Sequence, residues 1–372
     1  MQPPMNHPSE IPPATADSAS PAADDRLFAH IHGCLAAVAV GDALGFPVHD
    51  LTREEILRRY GGPVDRLRDA FDDDPIHPGY RAGQVTDDTI LTLVTAEAIL
   101  AADGDLTNGG MAAALGRWAA GHENLWRPGS VFGPSSKAAF AALARSPKTW
   151  TMDMTRGRAH MGASNGAVMR VAPAGLAHPG DVERAVRTAC AAVAPTHGTQ
   201  VSMAAAAAQA AAVAEAVVDG SDVFSVVRAA LAGARLGEAI GRAEARQVPA
   251  PSIERRLELA VSLALAATDP HDAGERLQAL IGTGLPAADA LPSAIGMFVA
   301  SGGDPRTGMV AAATMGGDTD TQSSICGALC GALRGIDAVP WEWVEQVEHV
   351  NHLALEQAAA RLAALARRRA MS

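Results

Sequence analysis

Between Ala204 and Ala214 the chain carries nine alanines in eleven positions, interrupted only by Gln209 and Val213. Alanine loses no side-chain entropy in a helix and has the highest helix propensity, so a tract of this kind commits its neighbourhood to helix. No run of alternating β-branched residues elsewhere is long enough to demand a sheet. Helical periodicity predicts helices over 29–40, ending at Gly41, and over 89–101, 110–120, 137–144, 182–193, 201–218, 225–236, 253–267, 273–281, 293–300, 321–333 and 341–369. The expectation is an all-α fold, a single large compact helical domain over 26–372, behind a disordered Pro/Ala/Ser-rich leader at 1–25.

The 372 residues are 48% hydrophobic and 19% charged, enough for a large core. A formal net charge of −11 argues against nucleic-acid binding through a basic face. The one basic run, Arg367-Arg368-Arg369, is expected to complement the C-terminal end of a last helix. Cys34, Cys190, Cys326 and Cys330 lack zinc spacing, and the last two, four apart among small residues, read as close helix packing. A reduced, cytoplasmic protein follows. The N-terminus shows no basic segment leading into an apolar one, and the alanine tract is too short and too weakly apolar to span a bilayer, so neither export nor membrane insertion is expected.

Two acidic patches lie far apart in the chain, Thr86-Asp87-Asp88-Thr89 and Gly316-Gly317-Asp318-Thr319-Asp320-Thr321. Each places two carboxylates and a threonine hydroxyl where a loop enters an apolar helical stretch. Each alone also reads as a helix N-cap, since Thr and Asp accept from first-turn N–H groups. Together they offer only hard oxygen ligands, which suit Mg²⁺, Mn²⁺ or Ca²⁺ rather than zinc. Four carboxylates brought together would repel one another without cations between them, so a pair of divalent ions is the natural occupant. Asp72-Asp73-Asp74, in a Pro/Gly-rich loop, reads as solvated surface.

Gly41-Asp42-Ala43-Leu44-Gly45, the first acidic patch, Ser164-Asn165-Gly166-Ala167-Val168-Met169-Arg170, Thr196-His197 and the second acidic patch follow one another in the order of the ADP-ribosylglycohydrolases, which the chain resembles over about 28–335. The resemblance implies a compact helical protein holding two Mg²⁺ or Mn²⁺ ions and hydrolysing the glycosidic bond at the ribose anomeric carbon of an ADP-ribosylated protein or a small ADP-ribosyl or nucleotide substrate. It implies Thr86, Asp87 and Asp88 as one ligand set and Asp318, Asp320 and Thr321 as the other, with Thr319 a structural cap and Asp42 a supporting acid. Asp87, Asp88 and Asp320 would act directly in the chemistry.

Gly133, Ser135 and Ser136, in a stretch from Gly129 that is similar to the family's phosphate loop, would bind substrate, as would Asn165, Gly166 and His197. One position departs. Family members commonly carry a glutamate seven residues after the aspartate of the first motif, and here that place holds His49, followed by Asp50. Proton handling then passes to His49, with a pKa near neutrality, or to Asp50 sliding into place. Ala163 stands where some relatives have an aromatic against adenine. The same fold acting on a free nucleotide, nucleoside or NAD-derived N-glycoside, or a non-catalytic binding member, are the alternatives; a phosphatase reading of Asp318-Thr319-Asp320 fails because Gln322 and an Ala-rich helix flank it wrongly.

Overall fold

The alanine tract becomes the helix Gln200–Ala216 of the computed structural model, which describes residues 21–73, 79–126, 131–145 and 161–370. All but two of its residues are buried. A helix apolar on every side belongs at the centre of a bundle, and alanine lets neighbours come close. Against it lies Val223–Glu244, where a Cβ added at Gly233 would meet Ala207 O at 2.5 Å.

The described residues contain helices, short 3₁₀ turns and three isolated β-bridges, with no strand among them. The fold is one all-α domain, as expected. Of the expected leader, 1–20 lie outside the described residues, and the chain is helical from Pro21.

The longest helix, Pro21–Gly45, packs along Thr319–Arg334. Small residues on both faces set their distance. A Cβ at Gly41 would sit 2.4 Å from Ser323 O and one at Gly45 would sit 2.3 Å from Thr319 O. The expected stop at Gly41 is therefore wrong: the glycine serves helix contact, and the helix runs on to Gly45. The segment Asp25–Val48 is long and apolar enough to cross a membrane by length and composition, but 83% of its apolar window is buried inside the protein, as befits a core helix.

Other boundaries also shift. The expected helix over 341–369 is two, Trp341–Asn351 and Leu355–Ala370, separated where His352 adopts φ 54° and caps the first. Four helices escaped the periodicity, Glu123–Trp126 and Ala172–Leu176 among them. Arg53–Tyr60 is short and polar, opened by a Thr52/Glu55 capping box, and Pro305–Ala313 is opened by Asp304 with Pro at its first position. Arg368 and Arg369 pair with Asp103 and Asp105 beyond the helix Asp87–Ala101, so the basic run ties two elements together rather than only facing its own helix end. Cys326 and Cys330 lie 3.9 Å apart, buried against Gly308.

Candidate metal centre and its cavity

Three chain segments meet at one end of the central helices. After Gly45 a 3₁₀ turn, Phe46–Val48, delivers His49, and the next residues pair with the loop before Thr319–Arg334. Asp50 N donates to Gly317 O at 2.8 Å, Gly317 N donates to Leu51 O at 3.0 Å, and Thr52 bridges Gly316. Gly316 and Gly317 both have left-handed φ, 84° and 80°. A side chain at Gly316 would meet Arg53 N at 2.7 Å, so the pairing needs glycine there.

The helix Asp87–Ala101 starts over Asp42, which accepts from Thr86 N, Thr86 Oγ1, Thr89 N and Thr89 Oγ1 at 2.5–3.1 Å. Asp42 is thus the capping acid expected. It also points Asp87 and Asp88 outward, toward the other patch. Asp88 Oδ2 accepts from Thr321 Oγ1 at 3.4 Å, joining the two patches across 233 positions of sequence. Asp318 Oδ2 accepts from Asn165 Nδ2 at 2.7 Å. His49 Nδ1 stands 2.8 Å from Asp320 Oδ1 and 3.4 Å from Asp318 Oδ1. Thr319 turns away and donates to Gly45 O at 2.8 Å.

Together these groups wall a cavity of about 160 Å³, lined by His49, Asp87, Asp88, Asp318, Asp320 and Thr321. Gly133, Ser136, Ser164, Asn165 and Gly166 also line it, with Val131, Met169 and Leu285 completing the wall.

Burial raises the pKa of Asp42 and Asp318 to about 7, with the Asp320 charge adding to it. Asp87 and Asp88 are pushed well above the carboxylate range by burial and by their acidic neighbours. Asp320 runs the other way: burial raises it, but the charge and hydrogen bond of His49 outweigh burial and hold it below its usual value. For His49, burial works to lower the pKa, and Asp320, Asp318 and Asp50 overcome it, lifting it to about 11. An imidazole pKa near neutrality is therefore not what these surroundings produce.

Asp50 does not slide into place. Its side chain is 66% exposed and lies 3.6 Å from His49 Nε2, outside the cavity lining. His197 is fully buried behind the wall, and its pKa falls to about 3 through burial and the nearby Arg170. Ser135 also sits behind, accepting from Gly162 N at 2.9 Å. Thr86 is 1% exposed, its hydroxyl engaged by Asp42. Gly129 and Ser130 of the expected phosphate loop lie outside the described residues, as does Asp74, whereas Asp73 pairs with Arg59 at 2.9 Å. Sequence reasoning did not single out Ser164, Met169 or Leu285 as lining residues. Ser164 was legible beside Asn165, but nothing in the sequence marks Leu285, brought in when Asn165 N bonds Leu285 O at 2.8 Å.

The donor set fits a divalent cation. Asp88 Oδ1 is buried with no hydrogen-bond partner, an orphaned acceptor that a cation would satisfy. His49, Asp318 and Asp320 bring one donor atom each within 4.8 Å of one another.

The sequence profile described as ADP-ribosylglycohydrolase matches residues 23–370. The chain is 28% identical over 336 residues to the uncharacterized protein YegU of Escherichia coli K12, covering 90% of this chain and 96% of that protein. It is 32% identical over 315 residues to an uncharacterized protein of Archaeoglobus fulgidus, covering 84% and 89%. A solved ADP-ribosylglycohydrolase-related protein complex superposes with TM-score 0.62 at 24% identity, covering 92% of this chain and 99% of that one.

Proposed function

The chain belongs to the ADP-ribosylglycohydrolase family, and from that premise we propose that it hydrolyses the glycosidic bond at the ribose anomeric carbon of an ADP-ribosylated substrate, using two divalent cations, Mg²⁺ or Mn²⁺. The convergence of both acidic patches on one cavity carries this reading. Asp87, Asp88, Asp318, Asp320 and Thr321 would hold the ions, with Thr86 fixing the first set through Asp42. When bound, the ions supply charge stabilisation and a water of lowered pKa.

The chain's own residues set the rest. Asn165 fixes the rotation of Asp318, and the N-terminus of Thr319–Arg334 favours the charged form of the acids at its start. His49 keeps a proton at Nδ1 against Asp320. Water adds to the anomeric carbon as the bond to the leaving atom breaks, the bonding pair going with that atom, which takes up a proton. Gly133, Ser136 and Gly166 line the side on which phosphates would lie.

A small free nucleotide, nucleoside or NAD-derived N-glycoside is the second reading. The cavity volume of about 160 Å³ lends it support, being below the roughly 300–1,000 Å³ of ordinary ligand pockets. Four free, buried cysteines support a reducing location such as the cytoplasm.

Purified protein with Mg²⁺ or Mn²⁺ should be screened against arginine-linked, serine-linked and free ADP-ribosyl compounds and nucleoside N-glycosides. Release of ADP-ribose from a protein-linked compound is expected. Turnover of free N-glycosides alone would replace the first reading with the second, and no turnover of any would sink both.

A further inference from the structure

Behind the cavity wall a chain of hydrogen bonds starts on a buried cation and ends on a cavity hydroxyl. Arg170 is fully buried, and its Nη2 donates to Thr196 Oγ1 at 2.6 Å. Thr196 Oγ1 lies 2.7 Å from His197 Nδ1, and His197 Nε2 lies 2.8 Å from Ser164 Oγ. The ring itself is shut off from the cavity: a Cβ added at Gly166 would meet His197 Cε1 at 3.0 Å, so the Gly166 backbone lies over it. Of this chain only Ser164 lines the cavity.

The direction of the protons follows from the distances. Thr196 has one proton and two acceptors within reach, His197 Nδ1 at 2.7 Å and Val193 O at 3.4 Å. Were Nδ1 protonated, the Thr196 oxygen would receive two donors, from Arg170 and from His197, while its own proton was left with the long contact, beyond the usual range for O–H···O. With Arg170 donating into the oxygen, the Thr196 O–H is polarised and gives its proton to Nδ1, each bond strengthening the next. His197 then carries its proton on Nε2 and donates to Ser164. The Ser164 proton is left over, and among the described residues no other partner takes it.

We infer that Ser164 is a hydrogen-bond donor of fixed polarity facing the cavity, selecting an acceptor oxygen such as that of a sugar or phosphate, and that Thr196 and His197 are positioning residues that set this polarity. The identity of the ligand rests on the function proposed above; the polarity does not.

Nitrogen-15 NMR of the ligand-free protein reads the tautomer directly, and titration calorimetry with ADP-ribose reads the contact. The expected His197 spectrum is the neutral Nε2–H form. Ser164→Ala should weaken ADP-ribose binding about tenfold, the scale of a lost hydrogen bond to a charged or strongly polar acceptor. Thr196→Val leaves Nδ1 without a donor and frees the ring to accept from Ser164, so affinity should fall toward that of Ser164→Ala although Ser164 remains. Thr196→Ser should restore both tautomer and affinity. An Nδ1–H tautomer in the parent, or Ser164→Ala binding within twofold of the parent, overturns the proposal. A parent that binds no ADP-ribose overturns the ligand class here and in the proposed function alike, and the tautomer then decides the relay alone.

Discussion

His49 Nδ1 donates to Asp320 Oδ1 across 2.8 Å, joining residues 271 positions apart. The ion pair occupies two groups whose donor atoms could reach one cation, so cation and proton compete for the same carboxylate. Near pH 9 the acids held up at about 7 have ionised, but His49, at about 11, still carries its proton. Cation binding there should expel the His49 proton, together with those that Asp87 and Asp88 still hold, as metal binding to a protonated site does. Calorimetry in buffers of different ionisation enthalpy counts them. His49→Gln should lower the count by about one, whereas Asp50→Asn, at an exposed residue, should leave it unchanged; an unaltered count in His49→Gln would mean the proton sits elsewhere.

Stability without cations should fall as pH rises from about 6.5 to 8. Asp42 and Asp318, raised to about 7, and His49, raised to about 11, all bind more protons in the folded chain than in the unfolded one across that window. The unfolded state therefore gains as protons are withdrawn. His197, depressed to about 3, works the other way near pH 6.5, where the unfolded imidazole still holds part of a proton, and offsets only a fraction of the fall. Mg²⁺ or Mn²⁺ takes the place of the missing protons, so the cation-induced rise in Tm should be larger at pH 8 than at pH 6.5. An equal rise at both would separate cation binding from these acids. EDTA should abolish turnover, with Mg²⁺ or Mn²⁺ restoring it.

Much of this site was legible because chemistry-bearing residues came in clusters. Asp87, Asp88, Asp318 and Asp320 each sit beside another acid and a threonine, and only their convergence needed the fold. The place of His197 is one that no single sequence discloses: Gly166 and Ser164 lie between it and the cavity, so a residue in the right motif stands one layer back. Asp50 looked interchangeable with His49, but with φ at 62° its backbone joins the loop pairing while its side chain stands in solvent. The helix through Gly41 was cut short because glycine reads as a terminator until its neighbour, the Ser323 backbone, is known.

Replacing Asp87 or Asp320 by Asn should lower turnover by about a hundredfold or more, the scale on which preorganised charge acts. Folding should respond differently at the two positions. Asp87 is buried among the acids Asp320, Asp42 and Asp318, so Asp87→Asn should raise cation-free Tm by removing repulsion. Asp320→Asn removes the counter-charge of the partly buried His49 and should lower it. Differential scanning calorimetry in EDTA measures both, and equal shifts of one sign would contradict the charge arrangement.

Two glycine-to-alanine changes should have opposite signs. Gly45 faces the backbone of Thr319, and a methyl there would lie 2.3 Å from Thr319 O. Backbone cannot swing aside as a side chain can, so the two helices must part. Overpacking of a core costs about 1–3 kcal/mol, and Gly45→Ala should reach the upper end of that range. The same separation would draw Thr319–Arg334, and with it Asp320, away from the Asp42-capped patch, so cation affinity should fall along with stability. Gly109 lies in the first turn of the helix Asn108–Gly121, exposed, with nothing within 4 Å of an added Cβ. There Gly109→Ala only reduces the freedom of the unfolded chain, and should stabilise by about 0.4–1 kcal/mol. Urea denaturation with cation titration on both variants checks the pair. A Gly45→Ala protein that kept parental stability and affinity would show that the close contact between Pro21–Gly45 and Thr319–Arg334 does not hold the two acidic patches together.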